Sequence, residues 1–199
     1  MIEPSLQIGG GNWANKSDSL LGYHKDGANF YADELTFSRN SEGSYTDANG
    51  LIQSMPYNLA TYSEQFDNAS WTKSGSSVVS GFTSPKGDLS AFKLVESTSL
   101  GTHWIRETIT VVNGKITFSI FAKKGERDYI LLRENTRGGY YFNLNNGTIG
   151  SVYSTAPDSY EIKEFSNGWY KCSITVTTSN STGDFLVYTA NANNSNNYQ

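Results

Sequence analysis

From about residue 57 onward the chain is a series of short runs in which apolar and polar residues alternate. The clearest is 116–123, where Ile116, Phe118 and Ile120 fall on one side and Thr117 and Ser119 on the other. A side-chain period of two belongs to a pleated strand with one buried face. Residues 169–176 repeat it, with Tyr170, Cys172, Ile174 and Val176 sharing a face. Further runs lie at 89–95, 104–112, 129–133, 140–144, 149–153, 160–165 and 185–189. Asn113-Gly114, Lys124-Gly125-Glu126 and Ser166-Asn167-Gly168 punctuate them as turns. About eight or nine short strands at regular spacing predict an all-β fold, an antiparallel β-sandwich or jelly roll.

Composition agrees with that pattern. The chain has 199 residues with 14% aromatic and only 17% charged side chains, including 13 Tyr and 10 Phe. Aromatic and β-branched residues suit a pleated, half-buried surface. The net charge is −4 and no Lys/Arg cluster interleaves with aromatics, which argues against a nucleic-acid partner. The single cysteine, Cys172, has no partner for an internal disulfide and reads as a small core residue. No apolar stretch reaches membrane-span length, and Met1-Ile2-Glu3-Pro4 does not open a signal peptide, so no membrane insertion is expected. Asn68-Ala69-Ser70 and Asn146-Gly147-Thr148 read as by-products of composition rather than glycosylation sites.

The first 58 residues differ from the rest. They hold Gly9-Gly10-Gly11, polar turns, a weak strand candidate at 32–37, and a short hairpin signalled by Asp47-Ala48-Asn49-Gly50 before Leu51-Ile52. Residues 1–58 are expected to gain order against a partner or other copies, and 59–199 to form the sandwich. The Asn-rich tail at 191–199 reads as a loop.

Phe37-Ser38-Arg39, Ser44-Tyr45-Thr46-Asp47, Gly50-Leu51-Ile52 and the run from Asn58 through Tyr62, Phe66 and Asn68 to Trp71 carry a resemblance. Together with Gly114 to Lys124 and Asn167-Gly168-Trp169-Tyr170, this stretch resembles a recurrent block in structural proteins of tailed phages, including crAss-like phages of gut bacteria. In those proteins the block introduces a carbohydrate-binding-like sandwich, usually with one more strand beyond the final loop. The resemblance spans roughly residues 36–190. It implies a virion protein made in a host cytoplasm and carried on the particle surface. Its front end would attach to capsid or tail proteins, and its sandwich would project outward, with a homotrimer as the expected state. A head fibre is the favoured place. A tail fibre, or a free carbohydrate-binding module of a polysaccharide-degrading enzyme, is the alternative.

The chemistry visible in the residues fits binding better than catalysis. Glycan hydrolases need paired carboxylates across a cleft, and the acids here fall in turns or alternate with Lys and Arg. His24 and His103 sit in different segments, and no Lys-Ser/Thr follows Gly9-Gly10-Gly11 as a phosphate loop requires. Glu126 and Asp128 could contribute to a structural calcium site with turn carbonyls, although no metal site is expected. Sugars bind through their C–H faces on aromatic rings, with polar neighbours bonding the hydroxyls. The candidate glycan contacts are therefore Trp104, Arg106, Tyr129, Arg133, Tyr141 and Trp169. Tyr140 and Tyr141 must point to opposite faces of one strand. Host or mucus polysaccharide is the implied ligand.

Overall fold

The strand at 116–123 keeps its alternation in three dimensions. In a computed structural model of the chain it forms part of Gly114–Lys123, whose side chains alternate between half-buried and exposed along its whole length. Phe118, Ile120 and Ala122 pack on the main core while Thr117, Ser119 and Phe121 face out. The structure describes residues 21–26, 29–34, 44–46, 49–54, 58–111, 113–179 and 181–198. Gly9, Gly10, Gly11 and the side chain of His24 lie outside the described residues, as does much of the expected attachment segment.

The chain divides into two units, Met1–Tyr57 and Asn58–Gln199. Among the described residues the first holds two hairpins. One pairs β1 (Leu21–Asp26) with β2 (Asn29–Glu34), so the strand expected at 32–37 begins earlier. The other pairs β3 (Ser44–Thr46) with β4 (Ile52–Ser54) across the turn that holds Asn49 and Gly50. Gly50 has φ +79°, a left-handed conformation that glycine adopts without steric cost.

The second unit is an antiparallel β-sandwich. Its strands are β5 (Thr72–Ser74), β6 (Ser76–Phe82), β7 (Ala91–Glu96), β8 (Gly101–Thr102), β9 (Trp104–Thr110), β10 (Gly114–Lys123), β11 (Tyr129–Glu134), β12 (Gly138–Asn143), β13 (Thr148–Tyr153), β14 (Ser159–Glu164), β15 (Trp169–Thr178), β16 (Thr182–Ala190) and β17 (Asn197–Tyr198). A six-stranded sheet has the order β13-β12-β11-β16-β9-β5, and a three-stranded sheet the order β10-β15-β14. Strands β11, β12 and β13 form a meander, and β16 returns from far along the chain to lie beside β11. That is a Greek-key connection. The two sheets bury Ile130, Leu132, Phe142, Leu144, Tyr170, Cys172, Ile174 and Val187 between them. Cys172 is a core residue as its pattern predicts, and burial pushes its thiol up to about 12.

The run from Tyr62 to Trp71 contributes to the core without being a strand. Its backbone folds through successive turns, Gln65 N–H to Tyr62 O, Asn68 N–H to Gln65 O and Trp71 N–H to Asn68 O. These bring Phe66 and Trp71 together at 4.9 Å, and Trp71 Nε1 donates to Tyr62 O at 2.9 Å. Trp71 is thus a core ring with its polar atom satisfied.

The tail corrects an expectation. Instead of a plain loop, it ends in β17, which pairs with β8. A side-chain network holds it there. The Tyr198 hydroxyl donates to Glu96 Oε2 at 2.6 Å and lies 2.6 Å from Thr189 Oγ1. Arg127 grips Glu96 through Nε and Nη2 and stacks over the Tyr198 ring at 4.6 Å. His103, fully buried, faces Gly75 O with Nδ1 at 2.6 Å and Tyr198 O with Nε2 at 3.3 Å. Burial pushes the Glu96 carboxyl up, but the hydrogen bonds from Arg127 and Tyr198 and the Arg127 charge outweigh it, so its pKa is net lowered.

Three stability changes follow from this packing. Leu132, fully buried between the sheets, should lose about 2–5 kcal/mol on Leu132→Ala, read from urea unfolding. A carboxyl whose pKa is lowered on folding stabilises above its unfolded value, about 4.3, and the stabilisation fades as pH falls through the folded value. Glu96→Gln should therefore lower the Tm at neutral pH and flatten its fall at acid pH. Glu107 is the opposite case, since burial raises its pKa and penalises its charged form. Glu107→Gln should raise the Tm at pH 7, with the gap from the parent closing as pH falls into the carboxylate range.

Candidate functional site

The six-stranded sheet is apolar on both faces, and the one turned away from the three-stranded sheet carries the candidate site. Pleating and register assign its residues. Strand β9 contributes Trp104, Arg106 and Thr108; β11 contributes Tyr129, Leu131 and Arg133; β12 contributes Tyr141 and Asn143; β16 contributes Asp184, Leu186, Tyr188 and Ala190. Leu131, Tyr141, Leu186, Tyr188 and Ala190 form a second buried cluster, flanked by the half-buried rings of Trp104, Tyr129 and Tyr153.

Cross-strand pairing sets these residues in rows. One row runs Tyr141, Leu131, Tyr188, Trp104, and the next runs Tyr153, Gly139, Arg133, Leu186, Arg106. Within the first, Trp104 and Tyr188 lie 6.2 Å apart between ring centroids. Arg106 sits 5.7 Å over the Trp104 ring, and Arg133 sits 4.9 Å over Tyr153 and 5.9 Å over Tyr188. Gly139 makes the second row possible, because a Cβ there would stand 2.0 Å from Leu132 O and 2.6 Å from Arg133 Cβ.

Polar groups finish the face. Arg106 Nη1 lies 3.5 Å from Asp184 Oδ2, and Thr108 donates to the other carboxylate oxygen. Arg133 Nη2 donates to Asn135 O at 2.8 Å and to Asn135 Oδ1 at 3.0 Å. Asn143 Nδ2 donates to Tyr129 Oη at 2.9 Å. The Nε atoms of Arg106 and Arg133 are buried and have no acceptor. The tail crosses one end of the face, where Tyr141 donates to Asn196 Oδ1 at 3.0 Å and Asn193 Oδ1 accepts from Ser151 N at 2.7 Å. Burial, with Tyr153 and Tyr188 alongside, pushes the Tyr141 phenol up to about 12.

The six candidate contacts divide. Trp104, Arg106, Tyr129, Arg133 and Tyr141 come together on this one face, from β9 and from the hairpin strands β11 and β12, with β16 between them. Tyr141 is nevertheless 0% exposed, so it supports the face from beneath and cannot itself stack on a ligand. Trp169 is set apart. It starts β15 in the other sheet, opposite Lys123, and is 9% exposed, so neither its place nor its burial suits it to this site. Tyr153, Tyr188, Asp184 and Asn143 belong to the face and were missed. Their strands were legible in the alternation, but which strands are neighbours was not.

The acids are disposed differently. Glu126 and Asp128, the possible calcium contributors, are engaged by Lys93 at 2.6 Å and Lys124 at 2.8 Å. Among the described residues no three His, Cys, Asp or Glu side chains gather as metal ligands would. Glu107 and Glu134 both face the core side of the sheet, each opposite Phe185, which stands between them. No helix among the described residues is long and apolar enough to cross a membrane.

Removing one ring tests the architecture of the face. Tyr188 is buried between Leu131 and Trp104, so Tyr188→Ala should cost about 3–5 kcal/mol in chemical unfolding, as truncation of a large buried ring does. Tyr129→Ala, at a half-buried position, should cost clearly less. No protein-family model matches the chain, and no curated protein matches it.

Proposed function

We propose that this chain is a non-catalytic structural protein of a tailed-phage particle, a fibre subunit that displays a glycan-binding β-sandwich. The observation that carries the binding half is the face of half-buried Trp104, Tyr129 and Tyr153 rings with Arg106 and Arg133 among them. Flat rings offer stacking surface, and the guanidiniums and Asp184 offer hydrogen bonds for hydroxyls. The Greek-key wiring supports the finer assignment to the jelly-roll type of carbohydrate-binding module. The virion half rests on the resemblance of residues 36–190 to phage structural proteins.

On this reading residues 1–58 attach to the particle, three copies associate, and the sandwich points outward from the head. Multivalent display turns weak single sites into firm attachment to host or mucus polysaccharide. Binding rather than catalysis is the work, in keeping with the burial of Glu107 and Glu134 on the core side of the sheet, away from this face.

Gold-tagged antibody against residues 57–199 should decorate the head surface of intact particles in electron micrographs. Gold on the tail would relocate the fibre, and particles that lack the chain altogether would overturn the virion half. On a glycan array, multimeric protein should bind and Trp104→Ala should weaken each site several-fold, given the roughly 0.5–1.5 kcal/mol typical of ring contacts. No binding by the parent multimer would overturn the glycan half.

A further inference from the structure

The aromatic face holds more positive charge than it neutralises. Arg106 and Arg133 occupy one row, on strands separated by β16, so their Cα atoms lie roughly 9.6 Å apart, twice the interstrand spacing. The acid that pairs on this face is Asp184, beside Arg106. Arg133 has no carboxylate partner among the described residues. Its contacts are neutral: Asn135 O and Oδ1, the Tyr188 hydroxyl at 3.5 Å, and the faces of Tyr153 and Tyr188. A half-buried cation has given up hydration, and ring faces return only part of that loss. Nη2 spends both its hydrogens on Asn135 and Nε is buried, which leaves Nη1 to a ligand, and a charged carboxylate satisfies such a cation better than a neutral hydroxyl does.

We infer that the ligand of this face is an acidic polysaccharide, with its carboxylates rather than its hydroxyls as the main polar determinant. This rests on the glycan-binding reading and narrows it. One carboxylate pairs with Arg133, while a neighbouring sugar lies across Leu186 toward Trp104. The Arg106–Asp184 pair marks the other end of the row and receives hydroxyls or a second acid group. Charge complementarity selects this occupant, since the face is net positive on a chain whose overall charge is −4.

The test uses the full chain and three polymers: hyaluronan, which has a carboxylate on every second sugar, neutral dextran, and dextran sulfate. Binding is followed by calorimetry and by tryptophan fluorescence. Hyaluronan should bind at least about tenfold more tightly than dextran, a difference of roughly 1.4 kcal/mol. It should weaken as salt rises. Arg133→Gln should remove about tenfold of the hyaluronan affinity and weaken dextran by a much smaller factor, and Arg133→Lys, which keeps the charge, should restore part of the hyaluronan affinity. If Arg133→Gln fails to fold by thermal melt, Arg106→Gln serves as the second variant and should reduce hyaluronan binding by a smaller factor. Equal binding of hyaluronan and dextran would overturn the carboxylate inference and leave the glycan reading standing. Tighter binding of dextran sulfate than of hyaluronan would reduce the effect to general polyanion attraction and also overturn it. Binding of none of the three would overturn this inference, and a silent glycan array as well would take the glycan reading with it.

Discussion

The pairing of β16 with β9 on one side and β11 on the other is the constraint on which the candidate site depends. It sets Val187 between Ile105 and Leu132 on the core side and Tyr188 between Trp104 and Leu131 on the other. One strand thereby anchors both apolar clusters. The contacts join residues about 50 to 80 positions apart, so loop-closure entropy is spent before any of them forms. The return comes from burial on two faces at once, at roughly 1.5–3 kcal/mol for each large side chain taken from water.

A sheet with two apolar faces usually lies between two covering layers. Here the three-stranded sheet covers one face. Half-buried rings, stacked guanidiniums and the end of the tail partly cover the other. Trp104, Tyr129 and Tyr153 therefore form the lid of the second cluster, and they are also the rings on which we propose that a glycan stacks. The deeper residues, Tyr141 and Leu131, hold the platform, and the shallower ones present it.

The tail adds a second long-range closure. Tyr198 is bound through its backbone to β8 and through its hydroxyl to Glu96, which Arg127 in turn holds. Each polar atom in this network satisfies another, as buried polar groups require. None of it shows in composition, where the last nine residues read only as polar.

Much of the strand content was legible because a period of two is a local property. Ile116, Phe118 and Ile120 must share a face whatever lies opposite, and so must Tyr170, Cys172 and Ile174. The same logic placed Tyr140 and Tyr141 on opposite sides, and the structure puts Tyr140 with the main core and Tyr141 with the second cluster. Alternation says nothing about which face is covered. Tyr141 therefore stands among the candidate contacts although it is buried, and Trp169 stands beside residues of a different sheet. The amino-acid sequence by itself determined where the chain is extended, which side chains travel together on a strand, and that the cysteine would be buried. Only the tertiary structure decided which strands are neighbours, that five candidate residues meet on one face, and that the tail closes over its end, because those outcomes depend on pairings between segments whose separation along the chain leaves no local signature.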